Sequence, residues 1–360
     1  MTHADIETTQ VLWAPARLGG IPLVHRLAMA PMTRSRATAD GLVTGLTQSY
    51  YAQRGSLAML ITEGTQPSED GQGYLATPGI HSEAQAEAWR GVAEAVHQAG
   101  STLVIQLMHV GRVAHPANTP HGRAPLAPSA IAAAGDMFTA TGPQPMPVPR
   151  EMTEADIEQT IADFRRAARL AVDAGADGVE IHGANGYLLQ QFVSSNANRR
   201  TDGYGGDIAG RIRFPVEVAT AVAEEIGADR VGYRISPGSP LGDIVEDDVA
   251  EVYGALVDAL APLGLAYLHV VHLGDEALLR SIRDRWTGGL VLNRAGADIE
   301  RRAQDVRDGL ADVVSVGALA LANPDLPARI RAGASMNELD PTTLYGGGGR
   351  GYTDYPRLAA

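Results

Sequence analysis

The feature of this sequence that most restricts its fold is a local pattern that occurs five times. In each copy an amphipathic stretch ends at a glycine, and an apolar run begins a few residues later. Glycine is common just past the last turn of a helix, because it adopts the left-handed backbone conformation without strain. The pattern therefore predicts five helix-to-strand transitions, with helices ending at Gly100, Gly175, Gly227, Gly264 and Gly309.

Three further apolar runs bring the number of predicted strands to eight. Residues 26–32 and 57–64 precede the five copies, and residues 289–293 lie between the last two helices. The runs are apolar on both faces, which is typical of parallel strands covered by helices. No glycine-rich dinucleotide turn follows the first run, as would be more usual in a doubly wound sheet. We therefore predict an α/β fold, a single (β/α)8 TIM barrel over residues 1–360.

Helix starts are also marked in the sequence. Ser82 with Gln85, and Thr153 with Asp156, have the spacing of capping boxes, in which two side chains satisfy free backbone N–H groups reciprocally. They predict helices that begin just after residues 82 and 153.

The chain exceeds a minimal barrel because of long strand-to-helix connections. Residues 110–152, called the excursion below, hold eight of the 21 prolines and follow the third predicted strand. This composition does not continue a helix, so the excursion is predicted to be a lid. Residues 188–215 form a second long connection, and residues 345–356 form a glycine-rich tail.

Composition restricts the chemistry and the partners. There is no cysteine, which excludes disulfides, thiolate nucleophiles, Cys-ligated zinc and iron–sulfur clusters, and we expect no metal. A net charge of −13 argues against nucleic acid or an anionic membrane as a partner. The first ten residues have no apolar core, and no later run is long enough to span a membrane. We expect a cytoplasmic protein, a monomer or homodimer, that acts on small molecules.

Polar residues follow the predicted strands at the point where each strand ends. In a barrel the carboxyl ends of all strands meet on one face, where active sites lie. Buried polar groups need partners, so a set of this size predicts a shared ligand. The set is Thr33, Glu63, Gln106, His109, His182, Asn185, Tyr187, Arg234, His272 and Asn293.

Several strings around these residues resemble the old yellow enzyme family of FMN-dependent ene-reductases. The resemblance runs along nearly the whole chain. It rests on MAPMTRSRA (29–37), IQLMHVGR (105–112), VEIHGANGYLLQQF (179–192), NRRTDGYGG (198–206), RISP (from 234), ANPDL (322–326) and YGGGGRGYTDYP (345–356).

The resemblance implies an enzyme that oxidises NADPH or NADH and reduces electron-poor alkenes, such as enones and nitroalkenes, with a hydride from N5 of FMN. Pro31, Met32 and Thr33 would back the flavin ring, and Gly64 would let backbone pass close to it. Gln106 would pair with the pyrimidine edge. Arg234 would place a cation near N1 and O2, where reduction puts negative charge.

The same resemblance assigns the substrate side. His182 and Asn185 would hold the carbonyl or nitro oxygen, where negative charge develops during hydride transfer. Tyr187 would donate the proton to the α-carbon from the side opposite the flavin. Tyr74 and Tyr352 would line the substrate pocket.

Three positions depart from the family pattern. Met108 stands where Trp is usual, which predicts a wider pocket. Ala318 stands where an arginine usually grips the FMN phosphate, and the preceding loop reads NRAGAD (293–298). Backbone N–H groups near Gly296 and Gly317 remain available, and we predict that Arg294 replaces the missing guanidinium.

Two alternatives remain open at this point. A barrel aldolase or isomerase would use the same end of the barrel for a sugar phosphate, but it would want a Schiff-base lysine or paired carboxylates, and the strand ends supply no lysine. A non-catalytic FMN-binding barrel would have no use for His182, Asn185 and Tyr187.

Overall fold

The computed structural model describes residues 8–358. The first seven and last two residues lie outside the described part. The prediction of a single domain over residues 1–360 and the prediction for the N-terminal segment both included residues among them. Eight parallel strands close into a barrel in chain order, as predicted. They are β1 (Leu27–Met29), β2 (Met59–Ile61), β3 (Thr102–Leu107), β4 (Gly178–Gly183), β5 (Val231–Ile235), β6 (Tyr267–His272), β7 (Gly289–Arg294) and β8 (Val313–Val316).

Helices cover the outside of the barrel. They are α1 (Gly45–Gln53), α2 (Glu83–Gln98), α3 (Glu154–Asp173), α4 (Leu188–Val193), α5 (Ile208–Ile226), α6 (Val249–Leu260), α7 (Glu276–Arg285), α8 (Ile299–Arg307), α9 (Ala318–Ala322) and α10 (Leu326–Ala332). Both predicted capping boxes form, at the starts of α2 and α3. All five predicted helix-ending glycines have positive φ, between 68° and 95°.

Side chains alternate between the two faces of each strand, which separates the apolar core into two layers. In β7, for example, Leu290 and Leu292 pack outward against the helices, whereas Val291 points into the barrel. The same alternation sends Asn293 inward and Arg294 outward.

An N-terminal hairpin that the sequence analysis missed closes the amino end of the barrel. Its strands, Ala16–Leu18 and Ile21–Leu23, pair antiparallel, and its apolar residues join the core inside the barrel. Gly178 is the first residue of β4, and a Cβ on it would lie 3.2 Å from the Ile21 side chain. Gly289 is the first residue of β7, and a Cβ on it would lie 2.6 Å from the Leu18 side chain. The opposite, carboxyl end is therefore the open one.

The excursion carries its own short strands after β3. An antiparallel hairpin pairs Asp136–Thr139 with Gly142–Pro145, and Leu126–Ala127 pairs with Arg150–Glu151 in parallel. Phe138 in that hairpin is 72% exposed. Across residues 8–358, no helix is both long and apolar enough to cross a bilayer. The same residues contain no His, Asp and Glu cluster suited to a metal ion.

Candidate active site

The carboxyl ends of the strands surround a pocket with about 820 Å³ of empty space. It brings together eleven of the residues predicted from the sequence, drawn from the last residues of β3, β4 and β5 and from the segments that follow β1, β2, β3, β4 and β8. They are Pro31, Met32, Thr33, Gly64, Gln106, Met108, His182, Asn185, Tyr187, Arg234 and Ala318.

Arg234 is one of two arginines that line this pocket, with Arg34. Its side chain is only 5% exposed, and it makes no hydrogen bond to any residue between 8 and 358. Burial lowers the pKa of Arg234, and the carboxylate of Glu180 opposes that shift. A buried guanidinium that lacks hydrogen-bond partners is costly, so this arrangement calls for a ligand with acceptor atoms.

Gln106 lies in register with Glu180 on the neighbouring strand. Its Nε2 donates to a Glu180 carboxylate oxygen at 2.7 Å. A carboxylate only accepts hydrogen bonds, so this contact fixes the orientation of the amide. The amide oxygen of Gln106 is therefore left for the pocket, where it can accept a hydrogen bond.

Glu180 is the centre of a buried polar chain across the barrel. Tyr267 Oη donates to it at 3.0 Å, and His269 Nδ1 lies 2.8 Å away. Ser315 Oγ bonds His269 Nε2 at 2.9 Å, and Asn293 Nδ2 donates to Ser315. Burial keeps His269 neutral by lowering its pKa. Its Nδ1–H then donates to Glu180, so the hydrogen bonds run in one direction toward the carboxylate.

Glu180 itself stays ionised. Burial opposes the charge, but contacts with His269, the charge of Arg234 and the hydrogen bond from Gln106 outweigh it and lower the pKa of Glu180 to about 2. Gly232 makes room for this cluster, because a Cβ there would lie 2.1 Å from the Tyr267 ring.

His182 and Asn185 offer hydrogen-bond donors to the pocket. Burial, and then the charge of Arg234, lower the pKa of His182 to about 3, so its ring is neutral at pH 7. Its Nδ1 accepts from the Ala184 N–H at 3.3 Å, which places the proton on Nε2. Asn185 has φ of +58°, a conformation that Asn tolerates better than most residues, and its N–H donates to Ser236 Oγ at 2.8 Å.

Tyr187 stands directly after this turn and precedes α4. Its hydroxyl lies 3.0 Å from the hydroxyl of Tyr74, and its ring meets the His182 ring edge-to-face at 5.0 Å. Burial and the neighbouring Tyr74 raise the pKa of Tyr187 well above its usual value. The hydroxyl therefore keeps its proton at neutral pH and can donate it.

A second, larger chamber of about 1340 Å³ adjoins the pocket. Thr33, Tyr187 and Tyr345 line both spaces. Tyr74, predicted as a wall of the substrate pocket, lines this outer chamber. The remaining wall is largely apolar and includes Leu75, Val113, Met137, Phe138 and Met146.

Tyr352 does not lie where the sequence analysis placed it. Its ring is fully buried and stacks on Tyr50 at 4.2 Å, and Arg36 packs over it at 4.4 Å. The glycine-rich tail turns back at Gly346, Gly347 and Gly351, all with positive φ, and this path carries Tyr352 inward. Tyr345, at the start of the tail, lines both pockets instead.

Arg294 also lies elsewhere than expected. It points outward from β7, where Nε and Nη2 donate to Asp305 at 2.6 and 2.9 Å and Nη1 donates to Glu276 at 2.7 Å. Neither pocket is lined by Arg294, Gly296 or Gly317. The two carboxylates occupy the guanidinium, so the prediction that Arg294 grips a phosphate is not supported by its geometry.

The other strand-end residues line neither pocket; they are Glu63, His109, His272 and Asn293. Glu63 is buried and accepts the N–H groups of Arg34 and Ser35 at 2.9 and 3.2 Å. His109 is buried outside both pockets, and His272 lies 2.9 Å from Arg294 on the outer side of the barrel. Sequence reasoning missed Glu180, although its position two residues before His182 puts both on the same face of β4.

The pocket fits the FMN implied by the resemblance. Arg234 lacks an acceptor and Gln106 offers one, which suits the carbonyl-rich pyrimidine edge of a flavin. Gly64 keeps one wall open, because a Cβ there would come within 2.4 Å of Met108 Sδ. Pro31, Met32 and Thr33 would back the ring, and Gln106 and Arg234 would hold its polar edge.

Comparisons with known proteins agree. Residues 11–337 match the NADH:flavin oxidoreductase / NADH oxidase family. A probable flavin mononucleotide-dependent alkene reductase from Leishmania infantum is 38% identical over 362 residues, which cover 98% of this chain and 99% of that protein. 12-oxophytodienoate reductase 1 from Oryza sativa subsp. japonica is 40% identical over 374 residues, which cover 99% and 97%.

The solved structures give the same result. Morphinone reductase in complex with tetrahydroNAD superposes with a TM-score of 0.93 at 43% identity, covering 97% of this chain and 98% of that one. The predicted family is thereby confirmed: the chain belongs to the old yellow enzyme family of FMN-dependent NADH:flavin oxidoreductases.

Proposed function

We propose that this protein reduces the C=C bond of cyclic enones and nitroalkenes, with Tyr187 as proton donor and His182 and Asn185 as the pair that holds the substrate oxygen. FMN is its cofactor and a nicotinamide its reductant, in line with its family. The observation that carries the proposal is the convergence of two neutral donors and one protonated phenol on a single pocket beside Arg234.

Bound FMN would supply the hydride for the β-carbon of the alkene, with the nicotinamide as its source, and Gln106 and Arg234 would hold the polar edge of the flavin. His182 Nε2–H and the Asn185 amide donate to the substrate oxygen, and this interaction strengthens as negative charge develops there. His182 does so as a neutral donor over the physiological range, since the pKa of its ring is about 3.

Tyr187 supplies the second hydrogen as a proton at the α-carbon. Its raised pKa holds the proton until a carbanion-like centre forms beside it. Tyr74 lies within hydrogen-bond distance and can restore that proton from the outer chamber.

The outer chamber supports substrates that carry a large apolar group beyond the reacting double bond. Its apolar wall comes partly from the excursion, through Met137, Phe138 and Met146. The excursion therefore serves as a lid over that group. We further propose a cytoplasmic enzyme that is a monomer or homodimer and consists of one barrel domain.

The aldolase alternative has no support in the sequence. All 29 basic residues are arginine, so the chain contains no lysine that could form a Schiff base. Glu63, the strand-end carboxylate, is engaged by two backbone N–H groups.

The two half-reactions of the holoenzyme test the proposal. Stopped-flow absorbance should show loss of the oxidised flavin band on mixing with NADPH or NADH, and its return on mixing the reduced enzyme with 2-cyclohexenone or a nitroalkene. Reoxidation by oxygen but by no activated alkene would contradict it, as would a flavin that neither nicotinamide reduces.

A further inference from the structure

The phosphate end of the cofactor site lacks its usual cation in this chain. In barrels a phosphate group is commonly held by the loops after the seventh and eighth strands. Here the residue after Gly317 is Ala318, and the guanidinium of Arg294 is taken by Asp305 and Glu276. Some other group must supply positive charge if the phosphate is to gain more than backbone contacts.

Arg302, on α8, reaches into this corner from the helix layer. It is 5% exposed, and its side chain joins the end of β7 and the loop after it to β8 through main-chain carbonyls. Nη1 donates to Ser315 O at 2.9 Å, Nε donates to Ala297 O at 3.3 Å, and Nη2 donates to Arg294 O. These carbonyls lie within two residues of Gly317 and Gly296, the glycines expected to present N–H groups to the phosphate.

The charge of Arg302 is poorly compensated, in contrast with that of Arg294. Arg302 has no ion pair with any residue between 8 and 358, because the nearby Asp305 carboxylate is bound by Arg294 and Arg301. Burial, opposed by Asp305 and Asp298, lowers the pKa of Arg302 to about 10, whereas contacts with two carboxylates raise that of Arg294.

Two N–H groups of the Arg302 guanidinium also remain available to a ligand. Arginine has five N–H groups, and three of them are used on the three carbonyls. One N–H on each terminal nitrogen therefore has no acceptor among the described residues. Charged N–H donors of a guanidinium suit phosphate oxygens.

We infer that Arg302 supplies the cation for the FMN phosphate, taking the place of the arginine that Ala318 lacks. It does so from the helix after β7 rather than from the end of β8, and at the same time it joins the loop after β7 to β8. The inference rests on FMN being the cofactor of the proposed function.

Binding of FMN and riboflavin tests this, because the two flavins differ only in the phosphate. We expect Arg302→Gln to weaken FMN binding to the full-length protein by roughly tenfold or more, and to change riboflavin binding by less than about twofold. Quenching of flavin fluorescence gives both dissociation constants. Equal losses for the two flavins, or no loss for FMN, would overturn the inference.

Arg301→Gln is the matched control. It removes the same charge from the same helix, but its side chain is 40% exposed and pairs with Glu276 and Asp305. Its ratio of FMN to riboflavin affinity should stay within about twofold of the parent. Failure of the wild-type protein to bind either flavin would contradict the proposed function itself, so the two failures are distinguishable.

A double variant keeps the inference testable if Arg302→Gln does not fold. In Arg302→Ala/Ala318→Arg one guanidinium is lost and another returns from the end of β8. We expect a ratio of FMN to riboflavin affinity within about threefold of the parent, because the number of cations is conserved. If Arg302 were structural only, the new arginine would add a cation and raise that ratio by roughly tenfold or more, which would overturn the inference.

Discussion

At the scale of single residues, the site depends on which groups carry charge and which stay neutral. Arg234 is paired in register with His182 on the neighbouring strand, and its charge helps keep that imidazole unprotonated. Glu180 remains a carboxylate below them. Arg234, Glu180 and the neutral donors His182 and Asn185 therefore lie together in or beside the pocket.

Tyr187→Phe removes the proposed proton donor without removing the ring. We expect the oxidative half-reaction with 2-cyclohexenone to slow by about 10²-fold or more, while reduction of the flavin by the nicotinamide changes little. Stopped-flow absorbance separates the two. Tyr74→Phe is the control, since it removes the hydroxyl that contacts Tyr187 but keeps the donor, and it should slow the oxidative step much less. Normal enone turnover in Tyr187→Phe would assign the proton to another source.

Glu180→Gln changes the electrostatics beneath the flavin and frees the amide of Gln106. Reduction adds negative charge to the flavin, so removal of a buried carboxylate should raise the midpoint potential of the flavin. The rise is about 30 mV for each tenfold shift in the two-electron equilibrium. Xanthine oxidase–coupled reduction against a reference dye measures it. Ser315→Ala, at the far end of the same hydrogen-bond chain, should shift it less. An unchanged potential in Glu180→Gln would show that the carboxylate does not act on the cofactor.

At the scale of elements, buried arginines hold distant segments together through main-chain carbonyls. Apart from Arg302, Arg36 is the clearest case. It donates to the carbonyls of Gly348 and Arg350 in the tail, to those of Thr343 and Leu344 just before the tail, and to that of Arg34. The tail has no helix or strand of its own, so these contacts determine where Tyr345 stands.

Arg36→Ala should therefore loosen the tail while leaving the barrel folded. We expect trypsin to cleave after Arg350, which is exposed, roughly tenfold faster or more, because local opening becomes easier. Mass spectrometry of timed digests follows that bond. Arg17→Ala is the control, since Arg17 is exposed and makes one hydrogen bond, to Gly20 O in the N-terminal hairpin. Equal cleavage in both variants would show that the tail is held by other contacts.

The strands of the barrel could be predicted from the sequence, whereas the N-terminal hairpin and the path of the tail could not. Eight apolar runs and the helix-ending glycines locate every barrel strand, because their pattern is local. The sequence could not show which of Tyr345 and Tyr352 lines the pocket, since the path between them runs through several glycines with positive φ. Arg294 was misplaced because a shift of one residue at the end of β7 moves a side chain from the inner to the outer face. Arg302 lies on a helix, eight residues further on, and no local pattern indicates its contacts.

At the scale of the whole molecule, the barrel buries several ionisable groups that respond to acid in opposite directions. Burial lowers the pKa of His109 to about 4, and burial raises the pKa of Glu63 to about 7. Below pH 6.5 an unfolded chain protonates His109 but the native protein does not, so His109 costs stability as the pH falls. Glu63 has the opposite effect, because the native state binds its proton first.

His109→Asn isolates the histidine contribution. We expect the wild-type protein to lose about 1.6 kcal/mol more stability than the variant between pH 6.5 and pH 5, since a histidine of pKa about 4 stays neutral in the native state over that range. Urea unfolding of both holoproteins at the two pH values gives the difference, and Glu63 cancels because both proteins contain it. If the difference in unfolding free energy between the two proteins does not change with pH, His109 is protonated in the native state as readily as in the unfolded chain.

The place of Tyr187 on the boundary between the two pockets also determines where each hydrogen of the product comes from. Its hydroxyl can exchange with water through Tyr74 and the outer chamber, whereas the hydride of the nicotinamide does not exchange. In D2O with unlabelled NADPH or NADH, the reduced ketone should therefore carry one deuterium, on the carbon next to the carbonyl. The face that bears this isotope reports the side of the substrate on which the Tyr187 hydroxyl lies.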